Sequence, residues 1–341
     1  MSTPQIPLGS GFGPATTSEE VMQGIGLHGQ RALVTGGYSG LGAATVRALA
    51  AAGAHVLVPS RDPARAARVL EGVGNITILP MDLADPASIA TFTDRLLASG
   101  LPLHLLVNSA GIMATPPMRD ARGYEAQFAT NHLGHFQLTT ALLPALQRAQ
   151  GARVVMVSSR GHRFSPVHLH DPHFLQRPYD RWQAYGQSKT ANILFAVALD
   201  RRQAGEGIRA FAVHPGSIVG TGLEKHLDPA DLVAAGVMQA DGTPILDPAR
   251  GLKTVSQGAA TQLWCATSPQ LQDHGGVYCE DVDVAGAMLP RHEGAPMAEA
   301  LEARGVMAYA VDPVTADALW GLSEQLLAPS SSASAAREAN A

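Results

Sequence analysis

The sequence predicts an α/β protein whose core is one doubly wound parallel sheet of about seven strands, with helices on both faces. Short, nearly continuous apolar runs recur along the chain and alternate with amphipathic helical stretches. Strands of this kind are buried on both faces, as in a parallel sheet built from βαβ units. The first apolar run is followed by a glycine-rich turn that opens a helix, which is typical of the Rossmann type of this fold.

The predicted elements follow in chain order. The strands are Arg31–Thr35, His55–Pro59, Ile76–Leu79, Leu103–Val107, Arg153–Ser158 and Ile208–His214, with a seventh at Gly276–Cys279. The main helices between them are Gly42–Ala52, Pro86–Ala98, Gly123–Arg148 and Tyr185–Gln203. Right-handed crossovers would place these helices alternately on the two faces of the sheet.

Four segments divide the chain in this interpretation. Residues 1–27 are rich in Gly, Pro, Ser and Thr, and form an N-terminal arm that packs over the domain or is partly disordered. Residues 28–288 form the cofactor-binding catalytic domain, which includes a helical, apolar insertion at 222–251. Residues 289–329 form a helical C-terminal extension, and the Ser/Ala-rich residues 330–341 form a disordered tail.

Composition excludes several classes of protein. The chain has 46% hydrophobic residues, a net charge of -5 and no basic run, so neither nucleic acid nor an anionic membrane is an expected partner. Residues 1–15 lack the basic and apolar regions of a secretory signal, and no stretch approaches the roughly 18 apolar residues of a membrane span. We therefore expect a cytoplasmic protein.

The turn Thr35-Gly36-Gly37-Tyr38-Ser39-Gly40-Leu41-Gly42 predicts a dinucleotide site. Such a site needs a tight turn, close approach of the backbone to a pyrophosphate, and a helix N-terminus that faces the anion. Gly36, Gly40 and Gly42 supply these features, and Ser39 and Leu41 are predicted contacts within the same turn. Glycine-rich turns also occur for packing reasons alone, so the strand–turn–helix context carries the prediction.

The end of the second strand favours NADP(H) over NAD(H). A carboxylate at this position would accept a hydrogen bond from the ribose 2′-hydroxyl and repel a 2′-phosphate. The sequence instead places Ser60 and Arg61 there, and a guanidinium suits a phosphate monoester. The alternative is that Arg61 is a solvated residue at a helix start, partly neutralised by Asp62.

Tyr185 and Lys189 lie four residues apart at the start of a predicted helix, so their side chains share one face. A nearby ammonium favours the phenolate form of tyrosine and would make Tyr185 a usable proton shuttle. Ser159 follows the strand Arg153–Ser158 at the carboxyl edge, where its hydroxyl could hold a substrate oxygen. Each feature alone is weak, because such pairs and turns are common.

Together these motifs resemble the short-chain dehydrogenase/reductase family. The resemblance rests on the glycine turn, Asp82-Leu83, Asn108-Ser109-Ala110-Gly111, Asn131, Ser159 and the Tyr185/Lys189 pair, which occur in this order. The runs NHLGHF and YGQSKTANILF are similar to the retinol dehydrogenase and WW-domain oxidoreductase-like branch. The resemblance covers about residues 27–284.

The resemblance implies roles for individual residues. Tyr185 matches the catalytic acid and base, and Lys189 the residue that lowers its pKa and binds the nicotinamide ribose. Ser159 matches the serine that orients the substrate oxygen, and Asn131 the asparagine that supports a water-linked proton relay behind the lysine. Further cofactor contacts are implied at Asp82, Leu83, Asn108, Ala110, Gly111, Pro215, Gly216, Ile218 and Thr221.

The sequence departs from the family pattern in places. The usual Asn-Asn-Ala-Gly reads Asn-Ser-Ala-Gly, and Tyr38 stands where some NADP-binding members carry a basic residue. Ser159 and Tyr185 are 26 positions apart, which predicts an inserted loop over Gly161–Gln183. Ser158 is the alternative catalytic serine. The loop's histidines lack the fixed spacing of a helical metal motif, so we expect no metal.

The resulting hypothesis is an NADP(H)-dependent enzyme that interconverts an alcohol and a ketone or aldehyde. Alternatives are a catalytically silent cofactor-binding sensor or scaffold, and a reductase of C=C or imine bonds. Apolar residues in the insertion 222–251 predict a bulky, hydrophobic small-molecule substrate, although they could equally form the core of a small helical pair: Leu223, Leu227, Leu232, Val233, Val237, Met238, Ile245 and Leu246. Homo-dimers or tetramers through the helices Gly123–Arg148 and Tyr185–Gln203 are implied by resemblance only.

Overall fold

The computed structural model describes residues 3–288 and 304–328, and its core is one eight-stranded sheet in the order β3-β2-β1-β4-β5-β6-β7-β8. Strands β1 to β7 run parallel, and the short β8 pairs antiparallel with β7 at the edge. The predicted α/β fold class is therefore confirmed. The strands are β1 (Arg31–Thr35), β2 (His55–Ser60), β3 (Ile76–Pro80), β4 (Leu105–Asn108), β5 (Ala152–Val157), β6 (Ile208–His214), β7 (Val277–Glu280) and β8 (Asp283–Val284).

Helices cover both faces of the sheet, and each face has its own apolar core. In chain order they are α1 (Ser18–Met22), α2 (Gly40–Ala51), α3 (Pro63–Val69), α4 (Pro86–Ala98), α5 (Ala126–Phe128), α6 (Gly134–Ala141), α7 (Leu143–Gln147), α8 (Arg181–Gln203), α9 (Pro229–Ala234), α10 (Val255–Thr267) and α11 (Pro313–Leu327). No helix in the described ranges combines the length and apolarity that crossing a bilayer requires.

The predicted helix Gly123–Arg148 is wrong as a single element. It begins only at Ala126, and a π-helical turn at Ala129–Leu133 separates α5 from α6. Pro144 lies in the first turn of α7, where its missing N–H is tolerated. The π turn inserts an extra residue into the helical repeat, which apolar periodicity alone does not reveal.

Helix α8 starts one turn earlier than predicted. The Asp180 carboxylate accepts hydrogen bonds from the backbone amides of Trp182 and Gln183, and so caps the helix ahead of Tyr185. Residues 184–200 are buried without interruption. One neighbour that covers α8 is α11, whose Trp320 packs against Phe195 and against Phe136 of α6.

The insertion 222–251 is not the helical pair that apolar content predicts. It contains one six-residue helix, α9, a bridge between Met238 and Pro244, and a short 3₁₀ turn at Pro248–Arg250. Gly236 adopts a positive φ angle just after α9 ends, and Gly242 adopts one in the turn between the bridged residues Met238 and Pro244. The segment is therefore mostly irregular.

The N-terminal arm packs over the domain, which is the first of the two predicted possibilities. The Gln5 amide donates to the carbonyls of Tyr278 and Ala285, and Ser18 of α1 bonds to Ser256 of α10. The C-terminal extension is helical at α11. Its residues 289–303 and the predicted disordered tail lie outside the described residues.

Candidate active site

A cavity of about 1320 Å³ opens at the carboxyl ends of the parallel strands. The loops after β1, β2, β3, β4, β5 and β6 all contribute to its lining, as expected for an open α/β sheet. Predicted site residues that line it are Gly36, Ser39, Gly40, Leu41, Gly42, Arg61, Asp82, Leu83, Ala110, Gly111, Ser159, Tyr185, Lys189, Pro215, Gly216, Ile218 and Thr221. Asn108 and Asn131 do not line it.

The glycine turn has the backbone geometry that the sequence predicts. Gly36 and Gly40 adopt φ angles of +66° and +44°, in the left-handed region that glycine tolerates. A Cβ at Gly42 would lie 2.2 Å from the Gly36 carbonyl oxygen, so the turn closes tightly against the start of α2. The first-turn amides of this 12-residue helix have no intrahelical acceptors, and they point toward an anion site at its N-terminus.

Arg61 is exposed at the end of β2 and lines the same cavity. The carboxylate of Asp62 faces α3 instead, where it accepts a hydrogen bond from the Arg65 amide as the N-cap. Ser60 is buried, and its hydroxyl accepts from the Asp62 amide. The tip of β2 therefore presents a cation and no free carboxylate to the cavity.

Asn108 is placed differently from the prediction. Its side chain is fully buried, and its amide donates to the Thr139 hydroxyl of α6 and to the Met156 sulfur of β5. The following residues turn the chain toward the cavity, where the Ser109 and Ala110 amides both donate to the Thr35 hydroxyl. The Asn108 side chain thus anchors the loop rather than contacting a cofactor.

Tyr185 lies in the second turn of α8, with 4% of its surface exposed. A Cβ at Gly161 would lie 2.7 Å from its ring, so the aromatic ring packs directly against a glycine. Burial raises the pKa of Tyr185 to about 12, although hydrogen bonding with Ser159 acts in the opposite direction. Desolvation therefore sets the direction of the shift, and the lowering of the Tyr185 pKa by Lys189 stays a prediction.

Lys189 is buried beside Tyr185, with its Nζ 5.6 Å from the tyrosine ring centroid. Its ammonium donates to the Val157 carbonyl at 3.0 Å, and burial lowers its pKa to about 8. A Cβ at Gly111 would lie 3.4 Å from Lys189 Nζ and 3.2 Å from Asn131 Oδ1. Both polar atoms therefore converge on one bare glycine of the β4 loop.

The two serines after β5 are distinguished by their partners. Both line the cavity, but Ser158 is buried and its hydroxyl proton is donated to the Lys189 carbonyl. Ser159 accepts from the Gly161 amide at 3.0 Å, and its Oγ lies beside the same glycine as the Tyr185 ring. This geometry favours Ser159 as the serine that meets a substrate oxygen.

Asn131 occupies the π turn behind Lys189. Its amide donates to the carbonyl of Ile112 and to the hydroxyl of Ser188, each at 2.9 Å. Its Oδ1 accepts from the Ile112 amide at 2.9 Å. The side chain therefore clamps the β4 loop to the helix that carries Lys189, and lies just beneath the cavity lining.

The insertion 222–251 closes the other end of the cavity. Leu223, Leu227, Leu232 and Val237 line it, together with Lys225 and His226, whereas the remaining predicted apolar residues do not: Val233, Met238, Ile245 and Leu246. Met113, Met118, Phe164 and Trp182 add apolar surface that the sequence did not assign. Arg160 and Arg163 also reach the lining, as do the carboxylate residues Glu224 and Asp231 of the insertion.

The histidines of the loop after β5 have separate structural partners. His162 is buried and bonds through Nδ1 to the Ser159 carbonyl, while the Met307 amide donates to its Nε2. His173 stacks on Tyr124 at 4.3 Å between ring centroids. Among the described residues, no three His, Cys, Asp or Glu side chains are grouped as metal ligands.

Comparison with known proteins gives a consistent result. Residues 30–231 match the family model for short chain dehydrogenases. A probable oxidoreductase of Streptomyces antibioticus is 45% identical over 86% of this chain and 96% of its own, and mouse retinol dehydrogenase 12 is 35% identical over 75% and 79%. A structure from Mycobacterium paratuberculosis superposes with a TM-score of 0.67 at 32% identity, over 92% of this chain and 97% of that one.

Proposed function

The chain belongs to the short-chain dehydrogenase/reductase family and is an oxidoreductase of that family, and from this premise we propose that it interconverts an alcohol and a ketone or aldehyde with NADP(H). The observation that carries the proposal is that Tyr185, Ser159 and Lys189 line the same cavity as the glycine turn. Carbonyl chemistry requires a proton donor and groups that orient and stabilise the oxygen. A phenol, a hydroxyl and an ammonium beside one cavity can supply these functions.

The residues present fit a nicotinamide dinucleotide. The turn from Gly36 to Gly42 and the first-turn amides of α2 would hold the pyrophosphate. Asp82 and Leu83 line the cavity and would contact the adenine, and Pro215, Gly216, Ile218 and Thr221, which also line it, would contact the nicotinamide end. When bound, the cofactor supplies or accepts the hydride.

The protein's own contribution is the proton and its positioning. Ser159 orients the substrate oxygen, and Tyr185 gives it a proton during reduction. The raised pKa of Tyr185 keeps the phenol protonated at neutral pH, which suits this acid role. During oxidation the Tyr185 phenolate takes the proton back, and the Lys189 ammonium, whose Nζ lies 5.6 Å from the centre of the tyrosine ring, stabilises that phenolate beforehand.

Arg61 supports NADP(H) over NAD(H). Its guanidinium lies at the cavity edge where a 2′-phosphate would be placed, and Asp62 is occupied as the cap of α3. The predicted competition between Asp62 and the phosphate for Arg61 is therefore reduced. A planar fork of donors is matched to phosphate oxygens.

We expect a bulky, largely apolar substrate. Four apolar residues of the insertion and four from other segments face the cavity. Apolar area that they bury on a substrate would contribute roughly 25 cal/mol per Å² to its binding free energy. The cavity volume leaves room for a substrate beyond the dinucleotide. Arg160 and Arg163 in the lining add a polar contact for a hydroxyl or carbonyl remote from the reacting carbon.

Assembly and location stay predictions. The helices predicted to join subunits are α6, α7 and α8, but α11 packs on α6 and α8 through Trp320. A homo-oligomer formed on this side would therefore include α11 at its interface. A cytoplasmic location and a small-molecule partner are likewise expectations from the sequence.

The test is a cofactor-linked absorbance assay at 340 nm against a panel of ketones and alcohols of increasing apolar size. We expect turnover with NADPH or NADP⁺, and tighter binding of NADPH than of NADH. Tight cofactor binding without turnover on any ketone or alcohol would favour the silent sensor. Turnover confined to C=C or imine substrates would favour the third hypothesis.

A further inference from the structure

His135 is a buried, titratable residue that the proposed mechanism does not use. It lies in α6, four residues after Asn131, and none of its surface is exposed. Its Nδ1 is 2.9 Å from the Asn131 carbonyl oxygen, and its Nε2 is 2.9 Å from the Thr35 hydroxyl. The ring therefore bridges the π turn behind Lys189 and the end of β1, where the glycine turn begins.

Counting protons fixes the direction of both hydrogen bonds. The Thr35 hydroxyl accepts from the Ser109 amide at 2.9 Å and from the Ala110 amide at 3.0 Å. A hydroxyl has two lone pairs and one proton, so Thr35 must donate that proton to His135 Nε2. The remaining ring proton is then on Nδ1 and is donated to the Asn131 carbonyl.

Only the neutral ring with its proton on Nδ1 satisfies this arrangement. The environment agrees, because burial lowers the pKa of His135 to about 4, and the charge of Lys189 acts in the same direction. A second proton on Nε2 would face a hydroxyl whose lone pairs are already occupied. The bridge therefore has a single protonation state at neutral pH.

The bridge connects three segments at the cofactor end of the cavity. Thr35 opens the glycine turn, Ser109 and Ala110 belong to the β4 loop, and Asn131 clamps Ile112 of that loop. Asn131 and Lys189 also converge on Gly111, within 3.4 Å of the position a Cβ would take. A shift of Asn131 would thus be transmitted to Lys189.

We propose that His135 is a positioning residue that holds the glycine turn, the β4 loop and the Asn131 turn in the one arrangement that accepts the nicotinamide cofactor. It touches no part of the cavity itself. This inference rests on the proposed cofactor binding and adds a residue to it.

His132 provides a matched control three positions away. It is fully buried in the π turn that carries Asn131, and burial lowers its pKa to about 3. Its Nε2 bonds to Ser323 of α11, and its ring packs among Phe128, Phe136 and Phe195. Substitution of His132 therefore removes a buried histidine without touching the cofactor end.

The experiment compares NADPH affinity and thermal stability in His135→Asn, His135→Gln and His132→Gln. Asparagine keeps a donor near Nδ1 and glutamine keeps an acceptor near Nε2, so each retains about half of the bridge. We expect both His135 variants to raise the NADPH dissociation constant by about three- to tenfold, the range for one lost hydrogen bond. His132→Gln should lower Tm to a similar extent with an unchanged dissociation constant.

Thr35 gives an independent readout on the same bridge. Thr35→Val removes the hydroxyl and should reproduce the loss of NADPH affinity. Thr35→Ser keeps the hydroxyl and should bind NADPH as tightly as the wild type. The inference is overturned if the His135 variants have the NADPH dissociation constant of the wild type. It is also overturned if their dissociation constants rise no more than that of His132→Gln. Failure of the wild-type protein to bind NADPH or NADH would instead contradict the proposed function.

A measurement on the unaltered protein covers the case in which the His135 variants do not fold. Nitrogen NMR of histidine-labelled protein should show His135 as a ring with its proton on Nδ1, neutral from pH 5 to 8 by the lowered pKa; His162, whose Nδ1 also faces a carbonyl, should give a second signal of this kind. Assignment of one such signal to His135 through its proximity to Thr35 supports the bridge. A charged ring, or a proton on Nε2, would overturn it.

Discussion

The two ends of the cavity are built in different ways. At the reacting end, Tyr185, Lys189 and Asn131 lie on helical elements, are almost fully buried, and are held by named hydrogen bonds and by bare glycines. At the other end, the insertion 222–251 is mostly irregular, and most of its side chains are exposed or half-buried. The proposed function therefore assigns the chemistry to rigid elements and substrate choice to a loosely held segment.

This difference predicts how each end responds to substitution. A small change at the reacting end displaces a group that has one allowed position, so turnover should fall steeply. A change in the insertion removes apolar contact area without moving the reacting groups, so its effect should be smaller and confined to KM.

Among substitutions that keep every proposed catalytic side chain, the largest effect is expected from Gly161→Ala. The new Cβ would lie 2.7 Å from the Tyr185 ring, and an ångström-scale misplacement of a catalytic group can reduce turnover by about 100-fold. Gly205→Ala is the control, since a Cβ there meets no atom within 4 Å. Steady-state assays and circular dichroism would separate the loss of turnover from unfolding. Full activity of Gly161→Ala would mean that the Tyr185 position is not tightly held.

Arg61→Glu should weaken NADPH by about 1.5–3 kcal/mol, the range for a hydrogen bond to a charged group, and change NADH far less. Arg65→Glu is the matched control, because Arg65 is an exposed residue of α3 that does not line the cavity. Calorimetric titration of both cofactors measures the effect. Equal weakening by the two variants would assign the change to overall charge.

The pH dependence should have opposite signs in the two directions. Burial lowers the pKa of Lys189 to about 8, so the ammonium that stabilises the phenolate is lost above this pH. Reduction, which needs the protonated phenol beside the ammonium, should slow as pH rises through about 8. Oxidation, which needs the phenolate beside the ammonium, should accelerate by up to about tenfold per pH unit below about pH 8 and level off above it. Initial rates from pH 6 to 10 test this, and parallel profiles in both directions would exclude the shared proton shuttle.

The smallest effect is expected in the insertion. Leu227→Ala should raise KM for a bulky ketone by about three- to tenfold with little change in kcat, as expected for lost apolar contact. Leu246→Ala is its control, since Leu246 is 57% exposed and does not line the cavity. A preference for small or anionic ketones in the wild type would refute the apolar pocket.

The two ends also differ in how far the sequence could predict them. Strands β1 and β6 and helix α4 have the predicted bounds, because continuous apolar runs and Pro86 at a helix start are local signals. Ser159, Tyr185 and Lys189 of the reacting end likewise line one cavity, since the carboxyl ends of parallel strands share an edge, whereas Asn131 lies beneath its lining.

What the sequence could not predict depends on contacts between distant residues. The π turn that breaks the predicted helix leaves no mark in apolar spacing, and the direction of the Asn108 side chain depends on Thr139 and Met156. The insertion was predicted as helical from its apolar content, but its one short helix stops at Ala234, just before Gly236 at positive φ. Arg160 and Arg163 reach the cavity only through the fold of the loop after β5.

The most direct test of the proposed mechanism is the Tyr185→Phe variant on a substrate found in the screen. Removal of a general acid and base should reduce turnover by about 10²- to 10⁴-fold, while the NADPH dissociation constant stays close to that of the wild type. Tyr124→Phe, which removes a hydroxyl that donates to the Leu326 carbonyl, should leave turnover unchanged. If Tyr185→Phe retained most of its activity, Tyr185 would not be the proton donor and acceptor.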